Sequence, residues 1–126
     1  MEKKFLRCNH CGNIVTMIED KGVPIMCCGE AMEEMKANVT DAATEKHVPV
    51  VETEGHKVHV QVGSVTHPMT EEHLIQWIYL ETEHGGQLKK LTAADEPKAV
   101  FCLGEDKAVA VYEYCNLHGL WETALD

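Results

Sequence analysis

Alternation of apolar and polar residues predicts β-strands over most of the chain after residue 44. In KVHVQV, residues 57–62, every second residue is a valine and the others are polar, as in a strand with one buried face. The stretch 74–81, LIQWIYLE, is apolar on both faces, which predicts a central strand. Two further strands are predicted at 99–103 and 108–114. Turns are predicted at 85–86, 94–97 and 104–106. This spacing favours a β-sandwich of roughly 80–90 residues.

The first 36 residues follow a different pattern, with little apolar material and four of the six cysteines. Residues 15–18 and 23–25 predict two short strands on either side of a turn at 19–22. So short a segment buries too little surface to fold without a staple, and the cysteines offer a metal as that staple. The small, polar stretch 37–44 predicts a linker. The chain therefore divides into an N-terminal domain at 1–36, a linker at 37–44 and a second domain at 45–126.

Composition and charge narrow the possible partners. The net charge of −10 disfavours nucleic acid, whose phosphates need a basic surface, and also anionic membrane surfaces. No apolar run approaches the roughly 20 residues that span a bilayer, and residues 1–12 lack the apolar stretch of a secretory signal. We therefore expect a cytoplasmic protein, in which thiols stay reduced and six cysteines indicate metal ligands or redox groups rather than disulfides.

The N-terminal cysteines have the spacing of a metal site. Cys8 and Cys11 form a C-x2-C pair, and the adjacent Cys27 and Cys28 follow fifteen residues later. Four thiolates form a tetrahedral all-sulfur site that suits Zn²⁺ or a single iron, and the spacing alone does not choose between them. Adjacent side chains diverge, so the second pair reaches one ion only with distorted angles. A structural zinc knuckle and a redox dithiol remain the alternatives.

A second group of candidate ligands lies in predicted loops of the sandwich. His47, His67 and His73 precede or separate predicted strands, and Cys115 and His118 lie three residues apart in EYCNLHG, residues 113–119. Loops at one end of a sandwich can converge, but the spacing does not show that these do. Other residues with reactive side chains read as structural: Cys102 as a buried hydrophobe, His84 as a turn residue, and Trp77 and Trp121 as packing residues.

Three motifs, taken together, resemble the desulfoferrodoxins, the two-iron superoxide reductases. They are EKHVPV at 45–50, G-x-V-x-H-P-M-x-x-E-H-x-I-x-W-I at 63–78, and EYCNLHG at 113–119. The four N-terminal cysteines resemble the desulforedoxin-like domain of the same family. The resemblance covers nearly the whole chain in order, with every ligand position present.

The resemblance implies two mononuclear iron ions per chain. One is held by Cys8, Cys11, Cys27 and Cys28. The other is held by four imidazoles in a plane, from His47, His67, His73 and His118, with the thiolate of Cys115 as axial ligand. It also implies an immunoglobulin-like sandwich, a homodimer, and rubredoxin as the electron donor.

The activity that the resemblance implies is the one-electron reduction of superoxide to hydrogen peroxide, a detoxification of oxidative stress. Five ligands leave an octahedral iron one open position, whereas zinc is normally satisfied with four. A chain at −10 repels an anionic substrate, so a local positive potential is needed. The resemblance assigns that role to Lys46, and to Glu45 the capping of the ferric iron after turnover. The alternative is a non-enzymatic protein, either an electron carrier or a zinc-stapled scaffold.

Overall fold

The computed structural model describes residues 3–125, and its strands fall into two units divided between Lys36 and Ala37. The strands of the first unit are only two or three residues long. They are β1 (Phe5–Arg7), β2 (Ile14–Thr16), β3 (Met26–Cys27), β4 (Glu30–Ala31) and β5 (Glu33–Glu34). Strands β2, β1 and β5 form an antiparallel sheet in that order, and β3 pairs with β4 in a hairpin.

The first unit has almost no hydrophobic core. Within residues 3–36, Phe5 and Cys8 are the only buried hydrophobic side chains, whereas Ile18 is 93% exposed. The strand predicted at 15–18 is present one to two residues earlier, as β2. The strand predicted at 23–25 is wrong: this exposed stretch is irregular and contains Pro24, which has no main-chain N–H to donate to a ladder. The next strand begins at Met26.

The second unit begins with one helical turn and continues as seven antiparallel strands. They are α1 (Thr44–His47), β6 (Pro49–Glu54), β7 (Lys57–Val62), β8 (Ile75–Thr82), β9 (Gly85–Lys90), β10 (Lys98–Cys102), β11 (Ala108–Cys115) and β12 (Gly119–Ala124). One sheet has the order β10-β7-β6 and the other β12-β11-β8-β9. None of the helices in the described part of the chain has the length and apolar character that crossing a membrane requires.

The two sheets enclose one hydrophobic core, which confirms the predicted β-sandwich. Alternate residues of β7 and the interior residues of β8 and β11 bury completely, among them Val58, Ile78 and Val111. Strand β8 lies between β11 and β9, as its two apolar faces predict.

Three strands, β6, β9 and β12, are not foreseen from the hydrophobic pattern. Strand β9 (GGQLKK) is polar on both faces because it lies at the edge of its sheet. It also contains the glycines at 85–86 that predict a turn, while the turn itself is at 83–84. A Cβ at Gly86 would overlap the outer end of the Tyr79 side chain on the neighbouring strand, which would have to move.

One further expectation differs from the structure. Cys102 is exposed rather than buried, because Ala99 and Phe101 face the core and the alternation along the edge strand β10 turns Cys102 outward. The stretch 37–44, predicted as a linker, is tied to the sandwich by hydrogen bonds. Asn38 donates its main-chain N–H to the carbonyl of Leu120 and exchanges two side-chain hydrogen bonds with the main chain of Glu122, so this stretch packs along β12.

The strand register brings the ends of several strands together at one edge of the sandwich. Strand β6 begins opposite the end of β7, since Pro49 pairs with Val62. Strand β11 ends at Cys115, which pairs with Ile75 at the start of β8 and with Gly119 at the start of β12. The connections 63–74 and 116–118 and the helix α1 therefore all leave the sandwich at this edge.

Candidate metal centres

Four sulfur atoms meet in the N-terminal unit, where the structure brings Cys8, Cys11, Cys27 and Cys28 together. All four Sγ atoms lie within 4.8 Å of one another, and those of Cys11 and Cys27 are 3.7 Å apart. A tetrahedral ion with metal–sulfur bonds of about 2.3 Å separates its sulfurs by about 3.8 Å. This four-cysteine cluster has the dimensions of a tetrahedral iron or zinc site.

The adjacent Cys27 and Cys28 reach the same point because the chain turns left-handed between them. Cys28 has φ of 54°, and Gly29 continues the turn with φ of 77°. Glycine adopts this conformation freely, whereas it costs an L-residue such as cysteine roughly 1–2 kcal/mol. The sequence predicts diverging side chains at this pair, and the left-handed turn is what brings them together.

Hydrogen bonds prepare the four-cysteine cluster for negative charge. The main-chain N–H of Cys11 donates to Cys8 Sγ at 3.5 Å, and the Asn13 side-chain amide donates to Cys27 Sγ at 3.7 Å. Main-chain hydrogen bonds from Cys11 and His10 lower the pKa of Cys8 to about 6. Hydrogen bonding with the sulfurs of Cys11 and Cys8 instead raises the pKa of Cys28 to about 12. Four thiolates therefore coexist here only with a cation between them.

Four imidazoles form a closed ring at the strand-end edge of the sandwich. Neighbouring ring centroids are 4.7 Å apart for His47–His67, 4.6 Å for His67–His73, 5.1 Å for His73–His118 and 4.9 Å for His118–His47. Each ring is nearly perpendicular to the next, at 77–89°. His47 Nε2 lies 3.2 Å from His67 Nε2 and 3.1 Å from His118 Nδ1. Nitrogens at the corners of a square with metal bonds of about 2.1 Å would be about 3.0 Å apart.

The tautomers of two of these histidines leave lone pairs facing each other. Nδ1 of His47 donates to the carbonyl of Ala43, and Nδ1 of His67 donates to the carbonyl of Pro68, both at 2.7 Å. Burial lowers the pKa of His47, and lowers that of His67 to about 4, so both rings are neutral near pH 7. Each Nε2 then carries a lone pair and no proton. A cation between the rings removes the repulsion of two lone pairs at 3.2 Å.

The remaining donors complete the set. Nε2 of His73 is buried and has no hydrogen-bond partner among residues 3–125, which a bound cation would supply. Cys115 is fully buried, and its Sγ lies 3.9 Å from His118 Nδ1. Burial raises the pKa of this thiol, opposed by the main-chain N–H groups of Leu117 and His118. A coordinated metal would deprotonate it. This histidine–cysteine cluster fits an iron with imidazole and thiolate ligands.

Glu45 and Lys46 lie on α1 immediately before His47, and both side chains are exposed. Lys46 acts on the cluster electrostatically. The pKa values of His47 and His73 are lowered first by burial, and the positive charge of Lys46 lowers both further. Both predicted functional residues therefore directly precede the candidate ligand His47 on α1, and their roles stay predictions.

The turn after β7 holds this helix in place. The N–H of Val65 donates to the carbonyl of Glu45 at 2.9 Å, and the N–H of Gly63 donates to the carbonyl of Val48 at 3.1 Å. Gly63 has φ of +82°, and a Cβ there would lie 2.7 Å from the main chain of Glu45. The sequence shows this glycine only as part of a motif, and the structure gives its physical reason.

Two buried residues lie beside the cluster that the sequence does not mark as part of it. Trp121, read as packing, stacks on the ring of His47 at a centroid distance of 5.0 Å and donates its indole N–H to the carbonyl of His118. Glu113 is fully buried, and neither carboxyl oxygen has a hydrogen-bond partner within residues 3–125. Burial raises its pKa well above the usual value, so the side chain is held as a neutral acid.

One further group of possible ligands lies elsewhere on the surface. Glu83, His84 and Asp106 meet in the turn between β8 and β9 and the turn before β11. His84 Nδ1 lies 3.0 Å from an Asp106 oxygen, which also accepts the N–H of Lys107. His84 and Asp106 thus pair with each other, and His84 is a turn residue as predicted.

Known proteins resemble this chain along nearly its whole length. The desulfoferrodoxin family profile matches residues 39–124, and the profile of the desulfoferrodoxin N-terminal domain matches residues 2–35. The chain is 49% identical over 119 residues to desulfoferrodoxin of Nitratidesulfovibrio vulgaris, an alignment that covers 94% of both chains.

Solved structures give the same result. The superoxide reductase from Treponema pallidum is 41% identical, with a TM-score of 0.81 over 98% of this chain and 99% of that one. A one-iron superoxide reductase from Giardia intestinalis is 34% identical, with a TM-score of 0.57 over 65% of this chain and 98% of that one. Two profiles that together span nearly all residues, and an architecture shared from end to end, show that the chain belongs to the desulfoferrodoxin family.

Proposed function

We propose that this protein is a superoxide reductase, which converts superoxide to hydrogen peroxide by one-electron reduction. The observation that carries the proposal is the closed ring of four imidazoles beside a buried thiol, at one edge of the sandwich. Structural zinc sites normally use four ligands, and five converging nitrogen and sulfur donors favour a six-coordinate iron with one open position.

Each unit of the chain holds one iron in this proposal. The ligands of the first are Cys8, Cys11, Cys27 and Cys28. The ligands of the second are His47, His67, His73, His118 and Cys115. The sulfur–sulfur and nitrogen–nitrogen distances support both assignments.

The chain's own residues prepare the second centre for its reaction. A ferrous ion bound there supplies the electron that, with two protons, carries superoxide to hydrogen peroxide. The main-chain carbonyls of Ala43 and Pro68 fix the tautomers of His47 and His67, so both offer a lone pair without releasing a proton. The burial of Cys115 excludes water from its sulfur and directs the thiolate at the metal.

Lys46 attracts the anionic substrate. Its electrostatic effect on His47 and His73 supports this role, because a charge that acts on two of the rings also acts on an anion bound beside them. At about 4 Å and an effective dielectric constant near 20, one charge is worth roughly 4 kcal/mol before screening. Glu45, the preceding exposed residue on α1, would supply a carboxylate ligand to the oxidised iron.

The electron that returns the iron to the ferrous state comes from outside the chain, and we propose rubredoxin as the donor.

We also propose a homodimer. The exposed apolar side chains Ile18, Val23 and Met26 of the N-terminal unit support it, since exposed apolar surface favours association. A cytoplasmic location is proposed because all six cysteines are free thiols in the structure.

A matched pair of variants tests the function. The protein is loaded with iron anaerobically, and its visible spectrum is followed during stepwise oxidation and after a pulse of superoxide. We expect Cys115→Ser to lose one thiolate-to-iron band and the reaction with superoxide, while the bands of the four-cysteine cluster remain. Cys8→Ser should show the reverse pattern.

The products separate the alternatives. Reduction yields hydrogen peroxide without dioxygen, whereas dismutation yields both. Bands of the four-cysteine cluster alone, with no second band on oxidation, would indicate an electron carrier. A wild-type protein that stays colourless after loading would indicate a zinc-stapled scaffold.

The role of Lys46 has its own test. We expect Lys46→Ile to slow the reaction with superoxide about tenfold or more at low ionic strength and to flatten its dependence on salt, because the local attraction is lost. The control is Lys57→Ile, which changes the net charge equally at the opposite end of β7. Equal rates for the two variants would remove Lys46 from substrate attraction.

A further inference from the structure

Asn116 joins two of the loops that carry the histidine–cysteine cluster. It lies between Cys115 and His118, and its side chain bonds to the main chain on both sides of His73. Its Nδ2 donates to the carbonyl of Glu72 at 2.9 Å, and its Oδ1 accepts the N–H of Leu74 at 3.0 Å. The main-chain N–H of Asn116 also donates to the carbonyl of Leu74, at 3.2 Å.

His73 is held differently from two of its neighbours in the ring. His47 and His67 are oriented through the ring itself, since each Nδ1 bonds a carbonyl at 2.7 Å. The hydrogen bonds at His73 are to its main chain: its N–H donates to Thr70 Oγ1 at 3.0 Å, and its carbonyl accepts the N–H of Thr70 at 2.9 Å. Its buried Nε2 has no partner within residues 3–125. The direction of this ring therefore depends on how firmly residues 72–74 are held.

We infer that Asn116 is a positioning residue for His73, and that its two side-chain bonds control how long the histidine–cysteine cluster retains its metal. The inference rests on the proposed function, since it takes this cluster to be a metal centre. The bond between His73 and the metal is the first to break when these bonds are removed. Because Asn116 follows Cys115 directly, it also couples the thiolate loop to the loop of His73.

The chemistry of the side chain explains why asparagine serves here. Holding a carbonyl and an N–H on either side of one residue needs a donor and an acceptor in one plane, which a primary amide provides. Aspartate keeps the acceptor and loses the donor, and alanine loses both. Glutamine carries the same groups on a longer arm that no longer fits between the two loops.

The test uses the full-length protein with Co²⁺ as the probe, because the cobalt–thiolate band that Cys115→Ser abolishes reports the metal on Cys115, separately from the bands of the four-cysteine cluster. Release to an excess of chelator is followed at that band. We expect Asn116→Ala to release the metal about tenfold faster or more, as partners that orient metal ligands commonly contribute 10–100-fold to affinity. The four-cysteine cluster should keep its own release rate.

Asn38→Ala is the matched control. Asn38 also exchanges two side-chain hydrogen bonds with a main chain, that of Glu122, but neither bond flanks a ligand. It should lower the stability of the sandwich to a similar extent and leave the release rate unchanged. Thr70→Val is the second variant, should Asn116→Ala fail to fold. It removes the hydroxyl at His73 and should speed release in the same direction.

Two readouts distinguish positioning from a general loss of stability. In the metal-free protein, Asn116→Ala should accelerate amide exchange at Leu74 while residues in the middle of β8 and β11 stay protected. In a double-mutant cycle, the effect of Asn116→Ala on release should vanish on a His73→Ala background. Unchanged release in Asn116→Ala, or an equal effect on both backgrounds, overturns the inference alone. A wild-type protein whose cobalt–thiolate bands are all retained in Cys115→Ser overturns the proposed function as well.

Discussion

The two units of this chain relate metal and fold in opposite ways. The N-terminal unit surrounds its four cysteines with strands of two or three residues and buries only Phe5 and Cys8 among its described hydrophobic side chains. The second unit buries a continuous core between two sheets, and its histidine–cysteine cluster lies at one edge, on the connections between strands. A metal in the first unit replaces a core, whereas a metal in the second is bound by a fold that already exists.

Charge follows the same division. The first 36 residues carry five basic and six acidic residues, and the remainder carries six basic and fifteen acidic residues. Nearly all of the net charge of −10 thus belongs to the unit whose proposed substrate is an anion. In its proposed role Lys46 would act against the field of its own domain, and its effect would depend on its distance from the site rather than on the total charge.

The largest expected effect comes from removing the metal. Structural metal sites in small domains contribute about 10–16 kcal/mol of apparent binding free energy, which is folding free energy when the unfolded chain has no site. We expect chelation under reducing conditions to abolish amide protection in β1, β2 and β5, while β8 and β11 stay protected. Hydrogen exchange measured by NMR checks both units in one experiment.

Two cysteine-to-serine variants provide the control for that experiment. Cys8→Ser should reproduce the loss of protection without a chelator, and Cys102→Ser, an exposed cysteine outside both clusters, should not. Persistent protection of β1 in the metal-free protein would remove the contrast between the units.

The converse experiment removes part of the sandwich core. Leu80→Ala truncates a fully buried side chain in the middle of β8. We expect a loss of about 2–5 kcal/mol in the free energy of unfolding of the sandwich, from transfer and cavity terms together. Urea unfolding followed by the fluorescence of Trp77 and Trp121 measures it. The bands of the four-cysteine cluster should be unchanged, and Ile18→Ala, at a site 93% exposed, should change the sandwich by less than about 0.5 kcal/mol.

An effect of similar size is expected at the turn that supports α1. Gly63→Ala combines a strained φ of +82° with a Cβ 2.5 Å from the carbonyl of Val65, so we expect a cost of about 2–5 kcal/mol and a displaced Glu45–His47 segment. Gly55→Ala has a similar φ of +60° with open space around it and should cost only about 1–2 kcal/mol. Unfolding curves of the two variants, with the spectrum of the second centre, separate strain from displacement. Equal costs would show that the close approach is relieved elsewhere.

The smallest effect is a dependence on acid. Hydrogen bonds from Thr82 first, then from His84 and the N–H of Lys107, lower the pKa of Asp106 from 3.8 to about 2. A carboxylate with a lowered pKa stabilises the fold fully above its unfolded value and loses that contribution as the pH falls through the folded value. We expect Asp106→Asn to be less stable than wild type above pH 4, with the two unfolding curves converging as the pH approaches 2.

Asp20 provides the counterpart in the N-terminal unit. Its pKa is also lowered, by the N–H of Gly22 first and then by Lys4. We expect Asp20→Asn to leave the tryptophan-monitored unfolding of the sandwich unchanged at every pH, since both tryptophans belong to the other unit. A shift in that curve would show that the two units unfold together.

Hydrophobic alternation in the sequence predicts the strands that bury at least one face. It does not predict strands whose residues are polar on both faces. Strands β7, β8, β10 and β11 follow from alternation or continuous apolar runs. The edge strand β9 is polar on both faces and carries no such signal. The prediction that Cys102 is buried is wrong for a related reason, because a short apolar run does not reveal which residues of an edge strand face outward.

The candidate ligands could be named from motifs, but their mutual geometry depends on long-range register. His47 and His118 are 71 residues apart in the chain and meet because β6, β11 and β12 start or end at the same edge. The contacts that support the two clusters are not predicted from the sequence. Neither the left-handed turn at Cys28 nor the two side-chain hydrogen bonds of Asn116 produces a periodic pattern of residues. Asparagine in a loop has many possible partners, and only the fold selects the main chain beside His73.

The small core of the N-terminal unit has a consequence for the lifetime of the protein. In a chain that has lost the first iron, the N-terminal unit would be unfolded while the sandwich stays folded. Proteases cleave such segments far faster than packed ones, so iron-starved molecules would be degraded while loaded ones persist. The supply of iron would then set the abundance of the protein as well as its activity, with no separate regulator required.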